Sequence, residues 1–154
     1  MTIRVMWFRR DLRLADNPAL CAAAQGSDEV VGLFVLDPRL WEPAGPARRA
    51  YLLRSLDALD RSLGGRLLVR LGRPEQEVPL VTRASGADEV HVGADYGPYG
   101  RVRDERVAKA LAETGAALVR TGSPYAVAPG RVRKADGSAY RVFSPFYRAW
   151  RAHG

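Results

Sequence analysis

Short apolar runs alternate along the chain with longer stretches in which apolar positions recur every three or four residues. Five of the runs have the length of a β-strand and cover residues 3–8, 30–36, 66–71, 89–93 and 117–121. They are rich in Val and Leu, and several are apolar at consecutive positions, which is typical of strands covered by helices on both faces. The pattern therefore predicts the strands of a parallel sheet.

The stretches between the runs predict four helices, over residues 19–25, 46–63, 74–85 and 101–114. The first follows Asn17 and Pro18, a capping residue and a proline suited to the first helical position. The longest carries leucines at helical spacing and is followed by Gly64 and Gly65, which can end a helix in the left-handed conformation. Strand and helix thus alternate along this part of the chain.

This alternation predicts an α/β fold, a Rossmann-like, doubly wound five-stranded parallel sheet with flanking helices. Right-handed crossovers and a reversal of strand order beside the first strand give the order 3-2-1-4-5, with strand one in the centre. We expect this domain to cover residues 1–125. Residues 126–154 contain Gly, Pro and several basic residues, and we expect an irregular connection followed by the start of a helix near Ser144.

Composition and charge leave two interpretations open. The 154 residues include 24 basic and 17 acidic ones, a net charge of +7 that favours approach to nucleic acid. All but two of the basic residues are arginines in a chain rich in Ala, Gly and Pro. That composition is also typical of a GC-rich coding sequence, which would enrich arginine without any functional reason. An ordinary solvated, arginine-rich surface is therefore an equal alternative to nucleic-acid binding.

The sequence gives no reason to expect a membrane or secreted protein. No apolar run approaches the roughly 20 residues that span a bilayer, and the first residues lack a secretory signal. We therefore expect a cytoplasmic protein. The single cysteine, Cys21, cannot form an internal disulfide, and its alanine-rich surroundings predict a small core residue.

Several kinds of chemistry are excluded by missing motifs. The chain has no phosphate loop of the form G-x-x-x-x-G-K-[ST], and the first strand is followed by RRDLR at residues 9–13 in place of a glycine turn. No G-x-S-x-G elbow is present. His91, His153 and Cys21 are too isolated to suggest a metal site. We therefore expect no catalytic residue and no metal site in this chain.

Residues 6–20 read MWFRRDLRLADNPAL, and further distinctive stretches follow at 32–38, 48–63, 99–104 and 143–150. In this order the stretches resemble the N-terminal α/β domain of the photolyase/cryptochrome family, over essentially the whole chain. The resemblance implies that this domain binds a light-harvesting antenna pigment. It also implies that an absent C-terminal helical domain binds FAD and damaged DNA, so that the chain alone would be inactive in repair. We expect its partners to be that domain and damaged DNA, and the protein to be a monomer.

The carboxyl edge of the sheet is where open α/β sheets bind ligands, and the loops after strands one, two and four meet there. Apolar walls and a few polar groups at this edge would suit a planar pigment. The candidate pigment contacts are Trp7, Arg9, Phe34, Leu36, Asp37, Arg48, Asp95, Tyr99 and Gly100. For Phe34 and Leu36 ordinary core packing is an alternative, and Arg10, Asp11 and Arg13 are expected to form loop salt bridges.

The resemblance also indicates which kind of pigment the domain binds. Family members that use methenyltetrahydrofolate resemble one another in an Asn-Glu pair just before a helix arginine. Here Tyr99 and Gly100 precede Arg101, as in members that use a deazaflavin. We therefore expect a deazaflavin or a flavin in preference to a folate.

Three functions remain open at this point. The first is the antenna domain of a deoxyribodipyrimidine photolyase, which repairs cyclobutane pyrimidine dimers with light. The second is a cryptochrome-type blue-light photoreceptor, and the third is a stand-alone nucleotide-binding α/β domain.

Overall fold

Five parallel strands form one sheet in the computed structural model, which describes residues 1–153. The strands are β1 (Ile3–Phe8), β2 (Glu29–Leu36), β3 (Leu67–Leu71), β4 (Glu89–Val92) and β5 (Ala117–Arg120). Their order is β3-β2-β1-β4-β5, so the predicted fold class and strand order are confirmed. The central β1 pairs with β2 from Ile3 opposite Glu29 to Phe8 opposite Phe34, and with β4 on its other side.

The helices are α1 (Pro18–Ala24), α2 (Pro38–Trp41), α3 (Pro46–Ser62), α4 (Pro74–Ser85), α5 (Pro98–Ala112) and α6 (Phe143–Ala152). The first five all begin at a proline. Proline suits this position because the N–H group at the start of a helix makes no intrahelical hydrogen bond, so its absence costs nothing. As predicted, Asn17 caps α1, since its side chain accepts a hydrogen bond from the Leu20 amide. The four-residue α2 was not predicted, because one turn is too short to show a helical period.

Two apolar layers lie on opposite faces of the sheet. On one face Trp7 and Val35 pack with residues of α4 and α5, and on the other Phe8 and Phe34 pack with residues of α1 and α3. Successive side chains of a strand point to opposite faces. The side chains that follow β1 and β2 at the carboxyl edge are therefore divided between the two sides of the sheet.

The last part of the described chain, from residue 121 onward, has little regular structure and contributes no buried helix. Residues 121–142 contain neither helix nor strand, and no residue of α6 is buried. Gly122 nevertheless belongs to the sheet edge, where its carbonyl accepts a hydrogen bond from the Ala94 amide. No helix among residues 1–153 combines the length and apolar character needed to cross a membrane.

The prediction for Cys21 is wrong. Its side chain is exposed, while Ala19 and Ala23 turn to the core from the same helix. The run of small residues around Cys21 has no contrast between polar and apolar positions, so the sequence did not indicate which side of α1 would be buried.

Candidate functional site

A cavity of about 300 Å³ lies where β2 ends, between α2 and the start of α3. Its lining includes Phe34, Leu36, Asp37 and Arg48, which are four of the nine candidate residues. Leu40, Trp41 and Leu52 complete an apolar wall. The volume is at the lower end of the range for small-molecule sites, roughly 300–1,000 Å³. The cavity can therefore hold a flat ring system of modest size.

Two neighbouring arginines at this cavity differ in their bonding. The Arg49 guanidinium donates to the carbonyls of Trp41 and Glu42, at 3.1 and 2.6 Å, and lies 5.2 Å from the Trp41 ring. Within residues 1–153 the exposed side chain of Arg48 has neither an ion pair nor a hydrogen bond. Arg49 thus fixes α2 against α3, whereas Arg48 is available to a ligand.

The start of α3 adds to the positive potential at the cavity. Gly45 precedes the helix and offers no side-chain cap, and Ala44 next to it lines the cavity. The first amides of a helix lack intrahelical acceptors and carry partial positive charge. Together with Arg48 they favour a ligand that presents carbonyl oxygens or an anionic group.

Asp37 lies in the cavity wall, but its carboxylate is already occupied by protein donors. One oxygen accepts from the amide and Nε of Arg39, both at 3.0 Å, and the other accepts from Arg39 Nη2 and from the Tyr99 hydroxyl. Burial acts to raise the pKa of Asp37, but the hydrogen bonds from Arg39 and Tyr99 outweigh it and the pKa is lowered. Asp37 is therefore an ionised cap of α2 that shapes the cavity wall.

Tyr99 connects the cavity wall to α5. Burial and the hydrogen bond to Asp37 raise the pKa of its hydroxyl to about 12, so it remains a proton donor at neutral pH. Its ring lies 5.7 Å from the guanidinium groups of both Arg39 and Arg103. Tyr99 contacts the wall from the α4–α5 side of the sheet and is not among the cavity-lining residues.

Trp7 and Arg9 belong to a buried ion-pair network on that same side. The guanidinium groups of Arg9 and Arg103 both lie over the Trp7 ring, 4.8 and 5.3 Å from its centroid. Arg9 donates to the Asp104 carboxylate and to the Gly93 carbonyl. Burial and the nearby charge of Arg103 lower the pKa of Arg9 to about 10. Both residues fix the end of β1 against α5.

Asp95 and Gly100 form a close contact in the same network. The Asp95 carboxylate accepts from the Gly97 amide at 3.1 Å and from Arg103 at 3.2 Å. A Cβ atom at position 100 would overlap that carboxylate, so α5 can approach Asp95 only with glycine there. The adjoining cavity measures about 30 Å³. That is room for about one water molecule.

All nine candidates thus lie at the carboxyl edge of the sheet, but they form two groups. The structure brings Phe34, Leu36, Asp37 and Arg48 together around the cavity. The other five lie in the ion-pair and hydrogen-bond network at the start of α5, namely Trp7, Arg9, Asp95, Tyr99 and Gly100. Among the loop residues, Arg13 pairs with Asp11 at 3.0 Å and Arg10 approaches Asp95 at 3.7 Å, as expected for structural salt bridges.

Six cavity residues were missed from the sequence, namely Val35, Leu40, Trp41, Ala44, Arg49 and Leu52. A signal existed for Leu52, which follows Arg48 by four residues and therefore shares a face of α3 with it. Leu40 and Trp41 depend on α2, which was not predicted. Residues 1–153 hold no group of three or more His, Cys, Asp or Glu side chains placed to bind a metal ion.

The comparisons with known proteins agree on one family. The family model for DNA photolyase matches residues 4–154. The deoxyribodipyrimidine photo-lyase of Streptomyces griseus is 42% identical, covering 100% of this chain and 35% of that protein. Cryptochrome-2 of Gallus gallus is 38% identical over 75% of this chain and 21% of its own length. The chain spans about a third of the length of the photolyases that it matches.

Solved structures give the same result. A bacterial class III photolyase from Agrobacterium tumefaciens superposes with a TM-score of 0.85 and 33% identity, covering 97% of this chain and 32% of that one. An archaeal photolyase from Sulfolobus tokodaii, solved with two FAD molecules and described as implying a novel light-harvesting cofactor, gives a TM-score of 0.80 and 31% identity. The match covers 96% of this chain and 34% of the archaeal chain.

Proposed function

The chain belongs to the DNA photolyase family, and from this premise we propose that it is the antenna domain of a deoxyribodipyrimidine photolyase. The whole protein would repair cyclobutane pyrimidine dimers in DNA with light. FAD and the lesion would be bound by the remaining two thirds of the protein, for which this chain has no counterpart. A pigment bound to the antenna domain would absorb light and pass its excitation to that FAD.

The observation that carries the antenna role is the cavity at the end of β2. Phe34 and Trp41 would supply aromatic walls for a planar ring, and Leu36, Leu40 and Leu52 would add apolar contacts to it. Of the two arginines that line the cavity, Arg48 is the one with no ion pair or hydrogen bond within residues 1–153, and it can donate to a ring carbonyl or to a side-chain phosphate. Phe34 and Leu36 belong to the core of the domain as well, so the same side chains would hold the sheet together and face the pigment.

We propose a deazaflavin or a flavin as the pigment, in preference to a folate. A flat tricyclic ring with carbonyl oxygens matches aromatic walls and a single free guanidinium. The Sulfolobus tokodaii photolyase, solved with two FAD molecules and described as implying a novel light-harvesting cofactor, supports a flavin as the pigment. Gly100 no longer contributes to this choice, because its contact with Asp95 accounts for the missing side chain.

The test is reconstitution of the full-length protein with a deazaflavin, FMN or FAD, and methenyltetrahydrofolate, followed by absorption and by light-driven reduction of the catalytic flavin. We expect Arg48→Gln to weaken deazaflavin or flavin binding about tenfold or more, in line with the loss of one charge-assisted hydrogen bond. Arg54→Gln is the matched control, since Arg54 lies on the same helix, is exposed and does not line the cavity.

Two results would contradict this proposal. Stoichiometric folate binding with no deazaflavin or flavin bound would overturn the choice of pigment. Equal binding by wild type, Arg48→Gln and Arg54→Gln would place the pigment elsewhere.

A cryptochrome-type photoreceptor is the second candidate, because a cryptochrome also matches three quarters of this chain. Dimer splitting in ultraviolet-damaged DNA by the full-length protein separates the two, since it is expected of the photolyase alone. A stand-alone nucleotide-binding domain loses its support, because the family match covers residues 4–154 and the chain has no phosphate loop.

A further inference from the structure

The two aromatic walls of the cavity at the end of β2 differ in how they are held. Phe34 is buried in the apolar layer on the α1 and α3 side of the sheet, so the surrounding core fixes its ring. Trp41 is half-buried and, within residues 1–153, belongs to neither apolar layer. It is the last residue of α2, and a helix of four residues gives little support of its own. Core packing therefore does not fix the indole.

Arg49 of α3 holds Trp41 in two ways. Its Nε donates to the Trp41 carbonyl at 3.1 Å, and its Nη2 donates to the Glu42 carbonyl at 2.6 Å. The same guanidinium lies over the indole, 5.2 Å from the ring centroid. One planar cation thus fixes both the backbone at the end of α2 and the face of the ring. A guanidinium suits this double contact better than the ammonium group of a lysine.

The position of the indole matters for the proposed antenna role. Transfer of excitation between two chromophores depends on their distance and on the angle between their transition dipoles. A pigment ring that lies against a mobile wall samples many angles, whereas a fixed wall keeps it close to one. Side chains that contact a ligand hold it in a productive geometry only when other residues lock them in place.

We propose that Arg49 is a positioning residue of the antenna site, which fixes the Trp41 indole and, through it, the orientation of the pigment ring. The inference rests on the proposed function, since it takes the pigment to lie in the cavity at the end of β2. Two adjacent arginines then have separate roles. Arg48, which has no partner within residues 1–153, contributes to affinity, and Arg49 contributes to orientation.

The experiment uses the full-length protein, loaded with FAD and saturated with a deazaflavin. It measures the dissociation constant of the deazaflavin, the visible circular dichroism band that the deazaflavin gains on binding, and the FAD reduced per photon that the deazaflavin absorbs. The variants are Arg49→Gln, Trp41→Ala and the double variant. Arg54→Gln is the control, because Arg54 is exposed on the same helix and does not line the cavity.

A further measurement needs no pigment. The near-ultraviolet circular dichroism of Trp41 is obtained as the difference between wild type and Trp41→Ala. We expect Arg49→Gln to lose most of this signal, because an indole without its guanidinium contact is no longer held in one asymmetric environment. Arg54→Gln should keep it.

We expect Arg49→Gln to lower the transfer yield and the induced visible band about twofold or more, while the dissociation constant rises less than about threefold, because the free charge of Arg48 is untouched. Arg48→Gln should do the opposite, with weaker binding but a transfer yield close to wild type once the deazaflavin is saturating. Trp41→Ala should lower the yield as Arg49→Gln does. The double variant should add little, because both substitutions act through one side chain.

The outcomes separate this inference from the pigment proposal. If Arg48→Gln weakens binding but Arg49→Gln transfers as well as Arg54→Gln, the pigment site stands and the positioning role is overturned. A wild-type yield in Trp41→Ala, or additive losses in the double variant, would overturn it too. Equal deazaflavin binding by Arg48→Gln, Trp41→Ala and Arg54→Gln would place the pigment elsewhere, and both proposals would then be wrong.

Discussion

Tyr99 and Asp37 are 62 residues apart in the chain and meet at the wall between the cavity and α5. The hydroxyl donates to a carboxylate that is 5% exposed, so its removal leaves a buried charge with one donor fewer. Arg39 remains as the other partner of that carboxylate. At the scale of single residues this bond connects the end of β2 to the first turn of α5.

We expect Tyr99→Phe to lower the free energy of unfolding by about 1–2 kcal/mol, because hydrogen bonds to charged acceptors exceed the average bond in strength. Urea unfolding measures this change. Tyr51→Phe is the matched control, since Tyr51 is 76% exposed and its hydroxyl has no partner within the described chain. A loss in Tyr51→Phe as large as in Tyr99→Phe would show that the bond to Asp37 contributes nothing specific.

At the scale of elements, α2 is held at both its ends by polar contacts. Asp37 caps its start, Arg49 binds the carbonyls at its end, and Arg39 links it to Glu75 of α4 at 2.8 Å. A helix of four residues has no stability of its own, so these contacts determine its position. The cavity wall formed by Leu40 and Trp41 depends on them.

This arrangement predicts that acid destabilises the domain. For Asp37 and Glu75 burial acts to raise the pKa, but hydrogen bonds from Arg39 prevail and the pKa of each is below its ordinary value of 3.8 or 4.5. The folded state therefore binds fewer protons than the unfolded chain. The stabilisation is present above the ordinary pKa values and is lost as the pH falls through the lower, folded-state ones.

Urea midpoints measured from about pH 6 down to pH 3 check this, since that interval contains the unfolded-state values. We expect Arg39→Gln to show a weaker dependence of stability on pH than the wild type. Arg61→Gln is the control, because Arg61 forms an exposed pair with Asp57 and such pairs contribute little. If Arg39→Gln lost stability in acid as steeply as wild type, the two carboxylates would not be the cause.

The elements themselves could largely be predicted from the sequence. Apolar runs predicted each strand to within a residue or two. Strands β1 and β2 are covered by helices and are apolar at most positions, whereas the edge strand β3 is largely exposed and was predicted from its run of Leu and Val alone. The start of α5 was placed three residues too late, because Gly97 and Pro98 were interpreted as a turn, while the helix begins at Pro98. Helix α6 begins at Phe143, one residue before the expected cap at Ser144.

The site was harder to predict because its contacts join distant parts of the chain. Topology alone shows that the ends of β1, β2 and β4 meet at one edge, and the structure places all nine candidate residues near that edge. Their contact with a pigment stays a prediction. Hydrophobic periodicity says nothing about which ionic partners meet, such as Arg9 with Asp104, 95 residues away. The sequence therefore could not show that Arg9, Asp37 and Asp95 are engaged by protein groups while Arg48 is not.

At the scale of the whole molecule, the chain corresponds to about a third of a photolyase. The antenna role proposed above needs no catalytic residue in this chain. We expect the 154-residue chain to neither retain FAD in stoichiometric amount nor split pyrimidine dimers under light. Absorption after gel filtration and a repair assay check this, with the full-length protein as positive control. Dimer splitting by the chain alone would contradict it.

The contact between Gly100 and the Asp95 carboxylate also restricts how this turn can evolve. A side chain gained at position 100 overlaps the carboxylate, so residue 95 must become shorter first. That first step gives up the bonds from the Gly97 amide and from Arg103 before anything is gained. The packing of this turn therefore couples the two positions: a side chain at position 100 fits the present backbone only together with a smaller residue at position 95.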